Sequence, residues 1–348
     1  MKQISTACHH AKMFGLEKNT DCAVLAFTDQ SGEEILVALS HDGRVPSGTA
    51  EYEYVIKTPV ERVVCLSGTY IAFISAIGKM QSIVGVDKKS RIYSSELRNM
   101  IDNGDVAECG NEQNLDIEKI IELAPDVVFA WWIDPASEEK MESLKKAGIP
   151  VIAVLDYLEQ TPLGKAEWIR FFGAFYGCDS IAAGIFSKVE TEYMHLVEKA
   201  SSLVRKPYVL INLSWQDAWY LPGDSTFSVN FLRDAGAVPA WKTDNPNEIV
   251  PYDAEYVFSK WAGADFWINP GSAVSLNEMK QVSRFSAEFE AFKNGKVFNN
   301  NLKVNTDGAN DYWETGTVYP DRVLRDLISI FHPELLPNHQ CEFYRKLE

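Results

Sequence analysis

The chain has 348 residues, of which 46% are hydrophobic, and its 33 Lys plus Arg against 49 Asp plus Glu give a net charge of −16. This length is enough for two domains of ordinary size, and an acidic surface argues against nucleic acid as a partner because it repels the phosphate backbone. No apolar run reaches the roughly 20 residues that a membrane-spanning helix needs.

The first fifty residues read as a β-hairpin. The stretch "CAVLAFTDQSGEEILVAL" contains an apolar strand, a turn at Ser31-Gly32 and a second strand. We therefore expect residues 1–57 to form an N-terminal β-hairpin appendage. The start, "MKQISTACHHAKMFG", has no apolar segment, so no complete signal peptide is visible. "STAC" faintly resembles a lipobox, which makes Cys8 a candidate for lipid attachment.

Residues 58–160 have the pattern of an α/β lobe. "RVVCLS" and "DVVFA" are apolar on both faces, as strands of a parallel sheet are. "GTYIAFISAIG" is a short helix that Gly78 ends. Asp116 is placed to cap a further helix that Pro125 ends. That helix has apolar residues at i, i+3, i+4 and i+7, namely Ile117, Ile120, Ile121 and Ala124.

Residues 161–205 predict a linking helical region, and residues 206–348 repeat the plan of the first lobe. Within the link, "SIAAGIFSKVETEYMHLVEKASSLV" predicts one helix of roughly 25 residues. In the repeat, Gly236 ends a helix as Gly78 does, and Asp253 can cap a helix as Asp116 does. The last helix, "YPDRVLRDLISIF", ends at His332-Pro333. Two similar α/β lobes would place the carboxyl ends of their strands across a common cleft, where ligands of parallel sheets bind.

Aromatic side chains follow several of the predicted strands. Such rings supply a large contact area for a large, flat or apolar-rimmed ligand. The alternative is that they belong to the core of each lobe. Because adjacent residues of a strand point to opposite faces, at most one of the two neighbouring tryptophans can face a given pocket. The candidate ligand-binding residues are Tyr93, Trp131, Trp132, Trp215, Trp219 and Trp241.

Two glutamates occupy matching places in the two halves. Glu118 is the second residue after Asp116, and Glu255 is the second after Asp253. A first-turn carboxylate stabilises a helix by about 0.3–1 kcal/mol, which explains one such glutamate. This stabilisation does not explain why the two halves carry glutamates at matching places. A matched pair of carboxylates would fit two basic sockets on a partner protein.

The chain from about Pro59 onward resembles the periplasmic substrate-binding proteins of ABC importers for metal chelates, namely ferric siderophores, haem and cobalamin. The segments that carry the resemblance are "TPVERVVCLSGTYIAFISAIG", "NLDIEKIIELAPDVV" and "AEYVFSKWAGADFWIN". The tail "NDYWETGTVYPDRVLRDLISIFHPELLP" resembles a subgroup seen among Bacteroidetes-type bacteria. The chain departs from the family in its N-terminal hairpin and in the lack of a visible signal peptide.

The resemblance implies two Rossmann-like lobes joined by a single long α-helix, with the ligand cleft between the lobes. It implies a periplasmic monomer, anchored to a membrane as a lipoprotein, that delivers its ligand to an ABC permease and its ATPase. In such proteins one glutamate per lobe docks on arginines of the permease, and the matching positions are Glu118 and Glu255. Trp131 corresponds to a ligand-lining aromatic of cobalamin-binding members, and Tyr93 falls near another.

Two kinds of chelate are compatible with the sequence: an iron chelate of siderophore or haem type, and a corrinoid. Anionic ferric chelates need cations, and the candidates are few: Lys89, Arg91 and Lys303. Haem usually needs an axial His, Tyr or Met. His195 is expected at the surface of the linking helix, His332 at a helix end, and His9-His10 in the N-terminal segment.

Enzyme and scaffold functions are the competing classes. The sequence has no Walker loop, G-x-G-x-x-G, H-E-x-x-H or G-x-S-x-G motif. Cys65, Cys109 and Cys178 do not form a set suited to an iron–sulfur cluster. We therefore predict no catalytic residues, no resident metal and no cofactor other than the cargo chelate. A scaffold or sensor without transport activity remains as an alternative.

Overall fold

The computed structural model describes residues 8–18, 22–28, 33–45, 51–111, 114–132, 134–283 and 285–348. Its internal contacts divide the chain into two compact units. Unit 1 consists of Met1–Glu159, Leu163–Lys188 and Asn305–Val318. Unit 2 consists of Gln160–Pro162, Val189–Val304 and Tyr319–Glu348. The predicted α/β fold with two lobes is confirmed.

The N-terminal appendage is larger than the predicted hairpin. Its strands are β1 (Phe14–Lys18), β2 (Cys22–Thr28), β3 (Glu34–Ser40) and β4 (Tyr54–Lys57). In the described part of the chain they pair in that order, antiparallel except for the parallel pair β3 and β4. The hairpin expected from the sequence is β2 and β3, and its turn at Ser31-Gly32 lies outside the described residues.

Two buried glutamates hold the segment that precedes β1. Glu167 accepts hydrogen bonds from the backbone N–H groups of His9, His10 and Ala11, at 2.8–3.1 Å. Glu159 accepts from the backbone of Lys12 and Met13. Each carboxylate gathers otherwise unpaired backbone donors, so residues 9–13 are fixed to unit 1.

The second sheet of unit 1 is parallel. Its strands are β5 (Val63–Cys65), β6 (Ile83–Val86), β7 (Ala107–Glu108), β8 (Val127–Ala130) and β9 (Val151–Ala153). Within the described ranges their order is β7-β6-β5-β8-β9. Every residue of β5, β6, β8 and β9 is buried, as expected for strands covered on both faces. The carboxyl ends of all these strands therefore lie along one edge.

Six helices lie in this part of the described chain. They are α1 (Gly68–Ala76), α2 (Ser95–Asp102), α3 (Ile117–Leu123), α4 (Pro135–Lys146), α5 (Pro162–Ala166) and α6 (Trp168–Phe175). Of these, α1, α3, α4 and α6 pack against the sheet. Short 3₁₀ turns lie at Met80–Ser82, Lys89–Arg91 and Asp156–Leu158.

The predicted capping of α3 is confirmed, but its predicted apolar stripe is only partly right. The Asp116 side chain accepts from the backbone N–H of Lys119. Of the four stripe positions only Ile120 is buried, and Ile121 is 42% exposed. The stripe is cut short because α3 ends at Leu123, where Ala124 turns into the left-handed region with φ 44° ahead of Pro125.

The long helix of the linking region is confirmed as one element, α7 (Asp179–Ser201), of 23 residues. The rest of that region is not a link. Helix α6 carries Trp168, Phe171, Phe172 and Phe175, all fully buried and in ring contact with one another or with Phe14, Phe73 and Phe129. It is part of the core of unit 1.

Unit 2 has its own mixed sheet. Its strands are β10 (Tyr208–Ile211), β12 (Val238–Pro239), β14 (Phe266–Ile268), β15 (Val297–Asn299) and β16 (Arg345–Lys346). They lie in the order β12-β10-β14-β15-β16 in the part of the chain that the structure describes, and β16 is antiparallel to β15. Strands β11 (Ala218–Pro222) and β13 (Ile249–Asp253) form a separate antiparallel ribbon. The ribbon and β16 were not expected from the sequence.

The remaining helices are α8 (Phe227–Asp234), α9 (Ala254–Trp261), α10 (Leu276–Val282), α11 (Glu290–Lys293), α12 (Thr315–Val318) and α13 (Pro320–Phe331), with a 3₁₀ turn at Ser286–Glu288. Asp253 caps α9 by accepting from the backbone of Glu255 and Tyr256, as predicted. Helix α13 ends before His332-Pro333, also as predicted. None of the helices in the described residues has the length and apolar character needed to cross a bilayer.

Candidate functional site

A pair of aromatic rings lies beyond the carboxyl ends of β8 and β9 in unit 1. Trp131 directly follows β8, and Tyr157 lies in the 3₁₀ turn that follows β9. Their ring centroids are 6.0 Å apart and their planes meet at 59°. Trp131 is partly exposed and Tyr157 is 43% exposed. The two rings offer an accessible apolar surface at the edge where ligands of parallel sheets bind.

The neighbouring Trp132 is buried, in contrast to the partly exposed Trp131. This is the pattern expected of adjacent residues that point to opposite sides of a strand. Of these two tryptophans, Trp131 is therefore the one whose side chain is accessible to a ligand.

Tyr93 lies at the same edge, in the loop after β6, where a buried carboxylate holds its backbone. Glu314 Oε1 accepts from the Tyr93 backbone N–H, and Oε2 accepts from that of Ser94 at 3.2 Å. Glu314 is 5% exposed. Its burial raises its pKa to about 7, and the negative charges of Asp311 and Asp87 act in the same direction.

Glu314 is a candidate functional residue that the sequence did not single out. It lies between the exposed Trp313 and α12, in the segment 305–318 that returns to unit 1 from a distant part of the chain. A Cβ on Gly68, the first residue of α1, would lie 3.3 Å from Glu314 Cγ. The carboxylate therefore sits close to the amino end of α1, beside the loop that carries Tyr93.

Each of the three predicted cations has a carboxylate partner. Arg91 Nη1 lies 3.2 Å from Asp87 Oδ2, and the Asp87 side chain is buried. Lys89 pairs with Asp102, and Lys303 Nζ lies 2.6 Å from Glu342 Oε1. Their charge is thus balanced locally, which makes them weaker attractors of an anionic ligand than the sequence suggested.

Trp215 is the exposed aromatic residue of the predicted set in unit 2. It is 62% exposed and exchanges backbone hydrogen bonds with Ala218 at 2.8 and 3.0 Å. Between them Gln216 and Asp217 both have positive φ, as in the tight turns that connect antiparallel strands. Trp215 thus lies at the base of the turn into β11, beyond the carboxyl end of β10.

Trp219 and Trp241 lie in the core of unit 2, which corrects their prediction as ligand-lining residues. Trp219 is 0% exposed, donates from Nε1 to the Ile211 carbonyl at 2.9 Å and packs on Trp267 and Phe289. Trp241 is likewise buried and donates to the Pro222 carbonyl. For Trp219 the reason is alternation along β11, where Trp219 and Leu221 face inward and Tyr220 faces outward.

The carboxyl edge of the unit 2 sheet is rich in asparagine. Asn299 Nδ2 donates to the carbonyls of Gly271 and Ala273, and Asn301 Nδ2 also donates to Ala273. The Oδ1 atoms of Asn269 and Asn301 are buried and accept no hydrogen bond from the described residues. A buried acceptor without a partner costs about 1–3 kcal/mol, so these two amides are candidates for polar contact with a ligand, and the sequence analysis did not single them out.

The two matched glutamates have similar surroundings. Glu118 and Glu255 are both exposed in the first turn of their helices, α3 and α9, after side-chain caps made by Asp116 and Asp253. An exposed, rigidly placed carboxylate in each unit suits contact with a basic partner. Their docking role stays a prediction.

The candidate histidines take separate places. His195 is exposed on α7, as expected. His332 is buried, and its Nε2 lies 3.1 Å from the Gly236 carbonyl oxygen. The backbone of His9 and His10 is bound by Glu167. The half-buried Cys8 lies near Glu167, and burial raises the pKa of its thiol to about 12.

A family model described as "Periplasmic binding protein" matches residues 63–300. The chain is 28% identical over 337 residues to an uncharacterized lipoprotein of Methanocaldococcus jannaschii. The aligned region covers 92% of this chain and 77% of that relative. It is 26% identical over 184 residues to an uncharacterized ABC transporter substrate-binding lipoprotein of Bacillus subtilis, over 52% of this chain and 55% of the relative.

A shorter match links the chain to a vitamin B12-binding protein of Vibrio parahaemolyticus, with 35% identity over 96 residues, 27% of this chain and 31% of that protein. Among solved structures, a periplasmic heme-binding protein from Pseudomonas aeruginosa superposes with a TM-score of 0.59 at 17% identity, over 79% of this chain and 93% of that one. At this identity the likeness concerns the fold.

Proposed function

This chain belongs to the periplasmic binding protein family, and we propose that it is the substrate-binding component of an ABC importer for a metal chelate. The family consists of transport binding proteins, not enzymes. The names of two relatives, an ABC transporter substrate-binding lipoprotein and a vitamin B12-binding protein, support the proposal. The chelate is cargo, and we assign the protein no resident cofactor.

We infer that the cargo is a tetrapyrrole chelate, haem or a corrinoid. The observation that carries this inference is the accessible Trp131–Tyr157 pair, 6.0 Å between centroids, at the carboxyl edge of the unit 1 sheet. Aromatic faces bind flat, apolar-rimmed macrocycles through contact area at a small cost in side-chain entropy. The exposed Trp215 of unit 2 supports the same choice.

A ferric siderophore is the second candidate, and the charges argue against it. Siderophores with catecholate or carboxylate arms form anionic ferric complexes that need unpaired cations. Lys89, Arg91 and Lys303, the cations that the sequence offered for this role, each lie beside a carboxylate. An anionic complex would have to compete with those carboxylates for the same charge.

We propose that Glu118 and Glu255 dock on the permease, which works with its ATPase, and that the binding protein is monomeric. Both glutamates are exposed on capped helices, so docking would cost little rearrangement. Attachment of a lipid at Cys8 outside the cytoplasm remains a prediction. Mass spectrometry of membrane-extracted protein would test it, because lipidation adds acyl mass to the peptide that begins at Cys8.

Transport in proteoliposomes tests the proposed function. Vesicles that contain the cognate permease and ATPase should accumulate haem or cobalamin only when this protein and ATP are both present. Tight binding without any stimulated transport would support a scaffold or sensor instead. Transport of ferric siderophores alone would overturn the choice of a tetrapyrrole while it keeps the importer assignment.

A further inference from the structure

Three chemically different donor groups meet in unit 2, in a place that the proposed transport function does not use. The Asp326 carboxylate, a His339 ring nitrogen and the Cys341 thiol all lie within 4.8 Å of one another. His339 Nε2 is 2.6 Å from Asp326 Oδ1, and Cys341 Sγ is 3.6 Å from the Ser329 hydroxyl. Asp326 is fully buried, while His339 and Cys341 are partly exposed.

The backbone fixes this cluster before any ion binds. Asp326 lies in α13, and its carboxylate accepts from the backbone N–H groups of Glu342, Phe343 and Tyr344 at 2.7–3.2 Å. These bonds hold the C-terminal segment against the helix, with Cys341 directly before the first of them. A carboxylate has about four lone-pair sites, so the Oδ1 site that now faces His339 is available for exchange.

We propose that Asp326, His339 and Cys341 form a site for one divalent ion of the zinc type. Carboxylate oxygen, imidazole nitrogen and thiolate sulfur are the ligands that Zn²⁺ takes at about 2.0–2.3 Å. An ion between the three groups would replace the His339–Asp326 hydrogen bond and draw Cys341 inward. Mg²⁺ and Ca²⁺ prefer oxygen ligands alone, so the thiol and the imidazole select against them.

The bound ion would fasten the C-terminal segment to α13. That segment continues into β16, the edge strand next to β15. An ion that binds the folded state and not the unfolded chain raises the free energy of unfolding as its concentration exceeds its Kd. Zinc would therefore stabilise unit 2 independently of the cargo chelate.

Metal titration of the full chain tests this proposal. Chelator-treated, reduced protein should bind one equivalent of Zn²⁺ by calorimetry and none of Mg²⁺. Co²⁺, used as a spectroscopic substitute, should give a thiolate-to-cobalt charge-transfer band. His339→Ala and Cys341→Ser should each weaken Zn²⁺ binding by at least about 100-fold, since even outer-shell partners of a metal cost 10–100-fold, and Cys341→Ser should abolish the band.

The matched control is the triple variant Cys8→Ser, His9→Ala, His10→Ala, which removes the other Cys and His tract, at the N-terminal segment. It should bind Zn²⁺ as the unchanged protein does. Circular dichroism shows whether each variant is folded, and if one of the two site variants is not, the other decides. Absence of Zn²⁺ binding by the folded protein, or unweakened binding in a folded site variant, would overturn the proposal, and loss of binding in the control would place the ion at the N-terminal segment instead.

Discussion

Trp131 and Tyr157 bring their rings to within 6.0 Å of each other across the ends of two hydrogen-bonded parallel strands. The pairing of β8 with β9 places the residue after one strand beside the turn that follows the other. The chain thereby presents two accessible rings at the edge where a ligand would lie.

Replacement of Trp131 should weaken ligand binding without unfolding the protein. Trp131→Ala removes one ring of the pair, and an aromatic residue at the centre of a binding surface is worth about 2 kcal/mol or more, roughly 30-fold in Kd. Trp131→Phe, which keeps a ring, should lose much less. Calorimetric Kd values of the three proteins check this, with urea unfolding as the measure of stability. An unfolded Trp131→Ala protein would show that this side chain belongs to the core.

Replacement of Trp219 should lower the stability of the protein, in contrast to replacement of Trp131. Trp219→Ala leaves a cavity beside Trp267 and Phe289 and removes the donor to the Ile211 carbonyl. Buried aromatic residues cost about 3–5 kcal/mol when truncated to alanine, so the urea midpoint should fall sharply. Unchanged stability together with lost ligand binding would show that the Trp219 side chain contacts the ligand and is not a core residue.

Charge reversal at the matched glutamates should separate transport from binding. Glu118→Lys with Glu255→Lys should abolish uptake in proteoliposomes because the basic sockets of the permease would meet like charge. The Kd for the ligand should stay the same. Glu122→Lys and Glu248→Lys, also exposed and in the same two units, serve as matched controls with full uptake. A change in Kd in the Glu118 and Glu255 variant would instead make these residues part of the binding surface.

Glu314 should make the protein less stable as the pH rises. Its pKa is raised from 4.5 to about 7 by burial, so between these values the folded state binds more protons than the unfolded state. The stability that this proton supplies is complete below about pH 4.5 and is lost as the pH rises through 7. At roughly 1.4 kcal/mol per pKa unit the loss is about 3 kcal/mol.

Glu314→Gln is the variant that isolates this effect. Its amide oxygen can still accept from one of the backbone N–H groups of Tyr93 and Ser94, while its NH2 group faces the other, and it has no charge to bury. Urea unfolding at pH 5 and pH 8 should show a smaller fall in stability for Glu314→Gln than for the unchanged protein. Equal falls would mean that the Glu314 carboxyl has an ordinary pKa in the folded state.

Local signals were enough to predict most elements of the fold. Fully apolar runs identified the parallel strands β5, β8 and β14, and the caps at Asp116 and Asp253 located α3 and α9. The ribbon of β11 and β13 was not predicted from the sequence, because 26 residues separate its two strands and β13 is mostly polar or exposed. The role of α6 in the core was missed because residues 161–205 were interpreted together as a connection between the two lobes, whereas α6 packs its aromatic rings inside unit 1.

The candidate site could be predicted only in part, because some of its residues come together through long-range contacts. Trp131 follows an obvious strand, so its position could be predicted from local sequence. Glu314 could not, because it reaches Tyr93 across 221 positions of the chain. Trp219 was misplaced since the position of a ring near a strand end does not reveal which face of the next strand it occupies. The Bacteroidetes-like subgroup also remains a prediction, and the relative with 92% coverage is from Methanocaldococcus jannaschii.

The most direct test is a tryptophan-fluorescence titration of the purified protein with haem, cobalamin and a panel of ferric siderophores, corrected for the absorbance of each ligand. We expect saturable quenching by haem or cobalamin at a 1:1 ratio with a sub-micromolar midpoint, and a weakened response in Trp131→Ala. Saturable quenching by siderophores alone, with neither tetrapyrrole bound, would contradict the tetrapyrrole assignment. Quenching by none of the three classes would contradict the metal-chelate proposal itself.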